Sequence, residues 1–298
     1  MDFNKNLEEK KAYIEELIYN FLPKEEGYQQ TIFEAMNYSM RAGGKRLRPM
    51  LILESYQMFG GKEEAVVAPF MAAMEMIHTY SLVHDDLPAM DDDEYRRGRK
   101  TTHIVYGEAM GILAGDALLN YAFETAMQAF DVPGAERTVA KALRVLANKA
   151  GVYGMIGGQV VDVQASEGNE AIKKEKLDFI YHLKTSALVE ASMMIGAILA
   201  GATEEEVSQC ELIARNIGLA FQIQDDILDV TSTMEELGKP IHSDEKNNKT
   251  TYVTLLGLED ASAKVKEYTE SGLALLTSYT DDNSFIYQLL SYLINRKN

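Results

Sequence analysis

The chain has 298 residues, a formal net charge of −17, 46% hydrophobic and 25% charged residues. That balance is typical of a globular protein with a sizeable core, and the excess negative charge argues against nucleic acid or an anionic membrane as the main partner. Cys210 is the only cysteine, which excludes an intrachain disulfide and a multi-cysteine metal site and fits a reducing compartment.

Helical periodicity dominates from the start, and strand-like alternation is hard to find. The first residues, Met1 to Lys10, lack the charged-then-apolar pattern of a signal peptide. No stretch approaches the roughly 20 apolar residues of a membrane span, so stable membrane insertion is not expected and a cytoplasmic location is. Leu7, Ile14, Leu17, Ile18 and Phe21 mark a first amphipathic helix that ends near Pro23. Ile32, Met36 and Met40 mark a second, closed by a basic glycine loop from Arg41 to Pro49. Lys45, Arg46 and Arg48 make that loop a plausible phosphate grip, the alternative being a basic helix cap. Pro49 opens an apolar helix that runs to Phe59.

Val66 to Asp86 read as one long helix, with His78, Ser81 or Leu82, and Asp85 along one face. It ends in the segment His84 to Asp93, where five aspartates fall within nine positions. Carboxylates so dense repel one another unless something positive stands between them, and Mg²⁺ prefers such oxygen ligands. Four basic residues, Arg96, Arg97, Arg99 and Lys100, follow around a turn at Arg97-Gly98. Thr101 to Phe130 are expected as one helix, in which Gly107, Gly111 and Gly115 recur every fourth position as packing contacts. Ala135 to Val163 resume helix, weakened by glycines, and place Gln159 and Asp162 three apart on an apolar background. Ser166 to Glu170 read as a loop. Lys176 to Ala200 form the next helix, with Lys184-Thr185 in an apolar neighbourhood. A lysine there is costly unless paired, so an anionic ligand is one reading.

Thr203 is placed as an N-cap. The helix it opens carries a second acidic cluster, Asp225, Asp226 and Asp229. Asp225 and Asp229 are four apart and share one face, where like charges call for a compensating partner. Two acidic clusters in buried-looking helices point to two walls of one Mg²⁺ site, with a phosphorylated ligand as the third. Lys239 and Lys249 lie in polar loops beyond the second cluster, and helical pattern then returns to the C-terminus. Neither an internal repeat nor an interdomain linker is evident, so the reading is one all-α domain, residues 1–298, of about ten helices around a central cavity.

At this point the sequence resembles the trans-polyprenyl diphosphate synthases, and most closely the bacterial farnesyl diphosphate synthases. The residues that carry the resemblance run from about 35 to 258: Gly43 to Pro49, His84 through Asp91 with Arg96-Arg97-Gly98, Gly157-Gly158-Gln159 with Asp162, Lys184-Thr185, Phe221 to Asp229, Gly238-Lys239, and Lys249. The resemblance implies an isoprenoid-synthase helical bundle, normally a homodimer, condensing isopentenyl diphosphate with an allylic diphosphate. It implies that Asp85, Asp86, Asp91, Asp225, Asp226 and Asp229 hold Mg²⁺ bridging the allylic diphosphate. Arg96, Lys184, Lys239 and Lys249 are then its cationic contacts, while Thr185 and Gln222 flank the allylic carbon. Lys45, Arg48, His78 and Arg97 would grip the isopentenyl head group. Tyr80, followed by Ser81, stands where an aromatic residue limits the product tail in bacterial farnesyl synthases, which implies a C15 product with C20 as the alternative. Glycine and proline are common in the family where His242 and Val253 stand, which bears on the loops around Lys249. A class I terpene cyclase, a non-catalytic subunit and a calcium-binding structural protein are the competing readings. The first would usually lose the second aspartate motif, the second typically one of the two, and the third would not need the basic residues.

Overall fold

The computed structural model describes residues 2–167, 172–231 and 250–295. Lys239, His242 and Lys249 lie outside the described residues. The chain divides into two compact units, one of residues 1–144 and 198–201, the other of 145–197 and 202–298.

The first unit contains α1 (Phe3–Tyr19), α2 (Gln30–Met40), α3 (Leu47–Met58), α4 (Glu64–Asp85), α5 (Thr102–Tyr106) and α6 (Glu108–Met127). Pro49 falls in the first turn of α3, where its missing N–H has no intrahelical partner to lose. The core centres on α4, which packs on α3 and α6 and fully buries Phe70, Met71, Met74, Met76 and Ile77. Each such side chain contributes roughly 1.5–3 kcal/mol of burial. Contrary to the sequence reading, α4 is long and apolar enough to cross a bilayer, but 83% of its most apolar window is buried inside the protein. Between α4 and α5, a two-residue hairpin pairs β1 (Tyr95–Arg96) with β2 (Arg99–Lys100). Arg97 and Gly98 both have positive φ, 54° and 75°, the turn whose twist matches paired strands.

The helix expected over Thr101–Phe130 is broken at Gly107, whose φ of 89° separates α5 from α6. Gly107 is therefore a hinge, with nothing near the position of a Cβ, and not a packing contact. Gly111 and Gly115 are packing contacts: a Cβ on Gly115 would stand 2.0 Å from the His84 ring.

In the second unit, α7 (Glu136–Ala150) ends and α8 (Met155–Glu167), α9 (Lys174–Ile180), α10 (Ala187–Leu199), α11 (Glu204–Thr231), α12 (Tyr252–Leu256), α13 (Leu258–Leu276) and α14 (Phe285–Asn295) follow. Ser166 is helical, not part of a loop. Thr203 caps α11 as expected: its hydroxyl accepts from the Glu206 N–H at 3.3 Å, and the Glu206 carboxylate accepts from the Thr203 N–H at 2.7 Å. The expected helix around Lys184-Thr185 contains a π-helical stretch, Tyr181–Ser186, that joins α9 to α10. Such stretches are rare and concentrate at functional sites.

Candidate active site

In the first unit the acidic segment is folded by its own main chain. The last carbonyls of a helix lack intrahelical partners. Here the N–H groups of Asp91 and Asp93 donate to the carbonyls of Asp85 and Asp86, at 2.9 and 3.2 Å, and the Asp92 N–H donates to Leu87 at 3.2 Å. Asp85, Asp86 and Asp91 are thus gathered at one helix end. Asp86 is buried and accepts from Nε of Arg96 at 2.6 Å, with Nη2 of the same guanidinium in ion-pair contact 2.6 Å from the same Oδ1. Burial pushes the Asp86 carboxyl up from its usual range, and Arg96 pulls it partly back. Arg96, expected on a diphosphate, is here joined to an aspartate of the same cluster.

The three consecutive-looking bases of the glycine loop have different fates. Arg46 is buried with a left-handed backbone, donates to Glu75 at 2.7 Å and to Glu15 at 3.1 Å, and also binds the Met40 carbonyl. It is a structural residue, which removes it from the phosphate grip. Lys45 is exposed. Arg48 Nη1 lies 3.5 Å from His78 Nε2. Arg97 donates to the Gly43 carbonyl, and a Cβ on Gly44 would meet Arg97 Nη1 at 2.8 Å, so this glycine permits a close approach. Burial holds the His78 imidazole well below its ordinary range, with Arg48, Arg97 and Arg96 reinforcing the effect. Burial also lowers Arg48; Arg97, exposed to solvent overall, is lowered by partial desolvation of its guanidinium and by Arg46 and Arg96 nearby. Two arginines held this close to one imidazole repel each other, so a negative partner would suit the place.

Tyr80 is buried, and its hydroxyl has no hydrogen-bond partner among the described residues. Burial, aided by Asp85, pushes the phenol up to about 12. Its ring stands edge-on to His84, with centroids 5.8 Å apart. Ser81 donates to the His78 carbonyl at 2.9 Å.

The second unit holds an open cleft of about 660 Å³, solvent included, lined by Asp162, Tyr181, Lys184, Thr185, Gln222, Asp226 and Thr251 among others. The π-helical stretch supplies three of these. Lys184 Nζ donates to Asp162 on α8 at 2.5 Å, and Thr185 Oγ1 donates to Gln222 on α11 at 2.9 Å. The approach depends on Gly158, where a Cβ would stand 2.2 Å from the Lys184 backbone nitrogen. Asp226 is buried and accepts from the Tyr181 hydroxyl at 2.7 Å and from the Tyr252 N–H at 3.0 Å. Asp225 and Asp229 share its helix, half-buried and buried respectively.

Sequence reasoning missed Tyr181 and Tyr252. Tyr181 carried a usable signal, since it stands four residues before Thr185 on the same helix; Tyr252 carried none. Val253 lies half-buried on α12.

Both carboxylate sets offer hard oxygen donors, which suit Mg²⁺. Among the described residues no three acidic, histidine or cysteine side chains form a metal cage by themselves.

The family model for polyprenyl synthetase matches residues 29–289. The chain is 42% identical over 293 residues to a geranylgeranyl diphosphate synthase of Cyanophora paradoxa, covering 98% of this chain and 96% of that one. It is also 42% identical over 267 residues to the farnesyl diphosphate synthase of Geobacillus stearothermophilus, covering 89% and 88%. A crystal structure of a geranyltransferase from Helicobacter pylori, complexed with magnesium and isoprenyl diphosphate, aligns with a TM-score of 0.83 and 30% identity over 99% of this chain and 97% of that one.

Proposed function

We infer the reaction from one premise: the chain belongs to the polyprenyl synthetase family. It is a trans-prenyltransferase of the farnesyl and geranylgeranyl diphosphate synthase type. The finer reading is Mg²⁺-dependent head-to-tail condensation of isopentenyl diphosphate with dimethylallyl and then geranyl diphosphate, giving farnesyl diphosphate (C15) and inorganic diphosphate. The unbroken family match across residues 29–289 supports treating residues 1–298 as one synthase domain. A homodimer, which rests on the family resemblance, and a cytoplasmic location, which rests on the lone cysteine, complete the proposal.

The observation that supports the reading is that basic side chains gather in two separate places, which we assign to two diphosphates. Arg48, His78 and Arg97, with Lys45 on the same loop, form one. Lys184, in the acid-lined cleft of the second unit, belongs to the other. A condensation of two diphosphates needs both, whereas a cyclase of one diphosphate needs a single set.

In the proposed mechanism Asp85, Asp86, Asp91, Asp225, Asp226 and Asp229 would hold Mg²⁺. The bound ions supply charge neutralisation for the departing diphosphate. Arg96 and Lys184, with Lys239 and Lys249, bind that diphosphate and favour heterolysis of the allylic C–O bond. Thr185 and Gln222 flank the carbocation left behind. Lys45, Arg48 and Arg97 orient the isopentenyl diphosphate, and His78, kept neutral by its surroundings, donates a hydrogen bond without adding charge. Proximity then lets the isopentenyl double bond attack the cation, forming one C–C bond. The product cation loses a proton to the released diphosphate.

The C20 alternative draws on the geranylgeranyl synthase relative, which is as similar as the farnesyl one. Tyr80 and Ser81, proposed as the floor of the tail pocket, favour C15. The test of the reaction class is diphosphate release from isopentenyl and allylic substrates. Release that requires both substrates and Mg²⁺ identifies a synthase; release from the allylic substrate alone, with a hydrocarbon product, identifies a cyclase. No release from folded protein identifies a non-catalytic subunit.

A further inference from the structure

Outside the proposed machinery, the second unit gathers four half-buried polar side chains around one buried carboxylate, a five-residue hub. Glu190 on α10 is fully buried, and both its oxygens are engaged. Oε2 accepts from Lys149 at the end of α7, and Oε1 accepts from Arg215 Nε on α11 at 3.0 Å. His182 Nε2 lies 2.9 Å from the same Oε1, an electrostatic contact off the line of a hydrogen bond. Glu211 closes the hub, 2.7 Å from Lys149 and 3.1 Å from Arg215. These partners hold the Glu190 carboxylate below its ordinary range against the opposing effect of burial. A buried carboxylate so fully paired is a fixed point in the fold.

His182 alone among the partners belongs to the π-helical stretch that carries Lys184 and Thr185. In an unbroken α-helix, positions 182 and 190 would be about 80° out of register, since eight residues turn about 800°. The i→i+5 bonding of a π-helix takes up an extra residue per turn and brings the two faces together. The π-geometry therefore favours the contact between His182 and Glu190 that is seen. The same geometry directs Lys184 to Asp162 and Thr185 to Gln222.

We propose that His182 is a positioning residue: by bearing on the Glu190 hub it holds the π-helical register that aims Lys184 and Thr185 at the allylic substrate. The choice of substrate rests on the functional reading above; the register itself does not.

The test compares wild type with His182→Ala, His182→Arg and Glu211→Gln. Two readouts are used: amide hydrogen exchange over residues 181–187, and separate KM values for allylic and isopentenyl diphosphates. His182→Ala is expected to speed exchange in that stretch about tenfold while the rest of the second unit keeps its protection. It is expected to raise the allylic KM about tenfold and leave the isopentenyl KM within about twofold. His182→Arg restores both, and Glu211→Gln, which leaves the contact between His182 and Glu190 in place, changes neither. Unchanged exchange in His182→Ala overturns the proposal, as does faster exchange across the whole unit with both KM values rising together. A wild-type protein without synthase activity would refute the functional reading, while the exchange data would still judge the register.

Discussion

Gly158→Ala probes the contact on which the second-unit cleft depends. An alanine Cβ there would lie 2.2 Å from the Lys184 nitrogen, 2.8 Å from the Leu183 carbonyl carbon and 2.8 Å from the Lys184 Cα. All three are backbone atoms, so no side-chain rotation relieves the clash. Ordinary contact begins near 3.4 Å, so α8 and the π-helical stretch must part by about 1.2 Å. Overpacking of this kind costs about 1–3 kcal/mol of stability. The functional loss is expected to be larger in relative terms, because a displacement of about 1 Å in a positioned group reduces rate by about 100-fold. The displaced group is Lys184, pulled from Asp162. Urea unfolding and steady-state assays on the same preparation separate the two effects. A Gly158→Ala protein with wild-type stability and wild-type kcat/KM would refute both the close approach and the role given to Lys184.

Arg46→Met would leave Glu75 buried without its partner, with an expected loss of about 3–5 kcal/mol in denaturant unfolding; the double variant with Glu75→Met should recover part of it. His78 gives a pH dependence of known sign. Its folded pKa lies below the unfolded value, so the unfolded chain binds the extra proton first. The stabilising effect of keeping His78 neutral is full above the unfolded value of about 6.5 and is lost as pH falls through that value toward the folded one. Melting curves from pH 7.5 to 5 should therefore fall more steeply for wild type than for His78→Gln, and equal slopes would remove the claim. Tyr80→Ala should lengthen the product beyond C15, read by chromatography of the dephosphorylated alcohols; an unchanged length would show that Tyr80 is not the floor.

Much of the helical frame was legible because apolar residues recur with helical spacing, and α11 was readable down to its Thr203 cap. The break at Gly107 was not. A glycine every fourth residue serves equally as a packing surface or as a hinge, and only the φ of 89° decides. The hairpin turn was visible in Arg97-Gly98, but two-residue strands are too short to show alternation. Lys45, Arg46 and Arg48 look alike in sequence; burial against Glu75 and Glu15 is what sets Arg46 apart. Both aspartate clusters stood out by density. Their partners did not, since the bond from Tyr181 to Asp226 spans 45 residues and that from Tyr252 spans 26. The hub around Glu190 was hidden for the same reason: its members come from α7, the π-helical stretch, α10 and α11.

The most direct measurement is the end product formed from labelled isopentenyl diphosphate, dimethylallyl diphosphate and Mg²⁺. The account predicts one dominant C15 diphosphate that disappears when Mg²⁺ is chelated and returns when it is restored. A dominant C20 product would contradict the assignment of Tyr80, and the absence of any condensation product from folded protein would contradict the reaction itself.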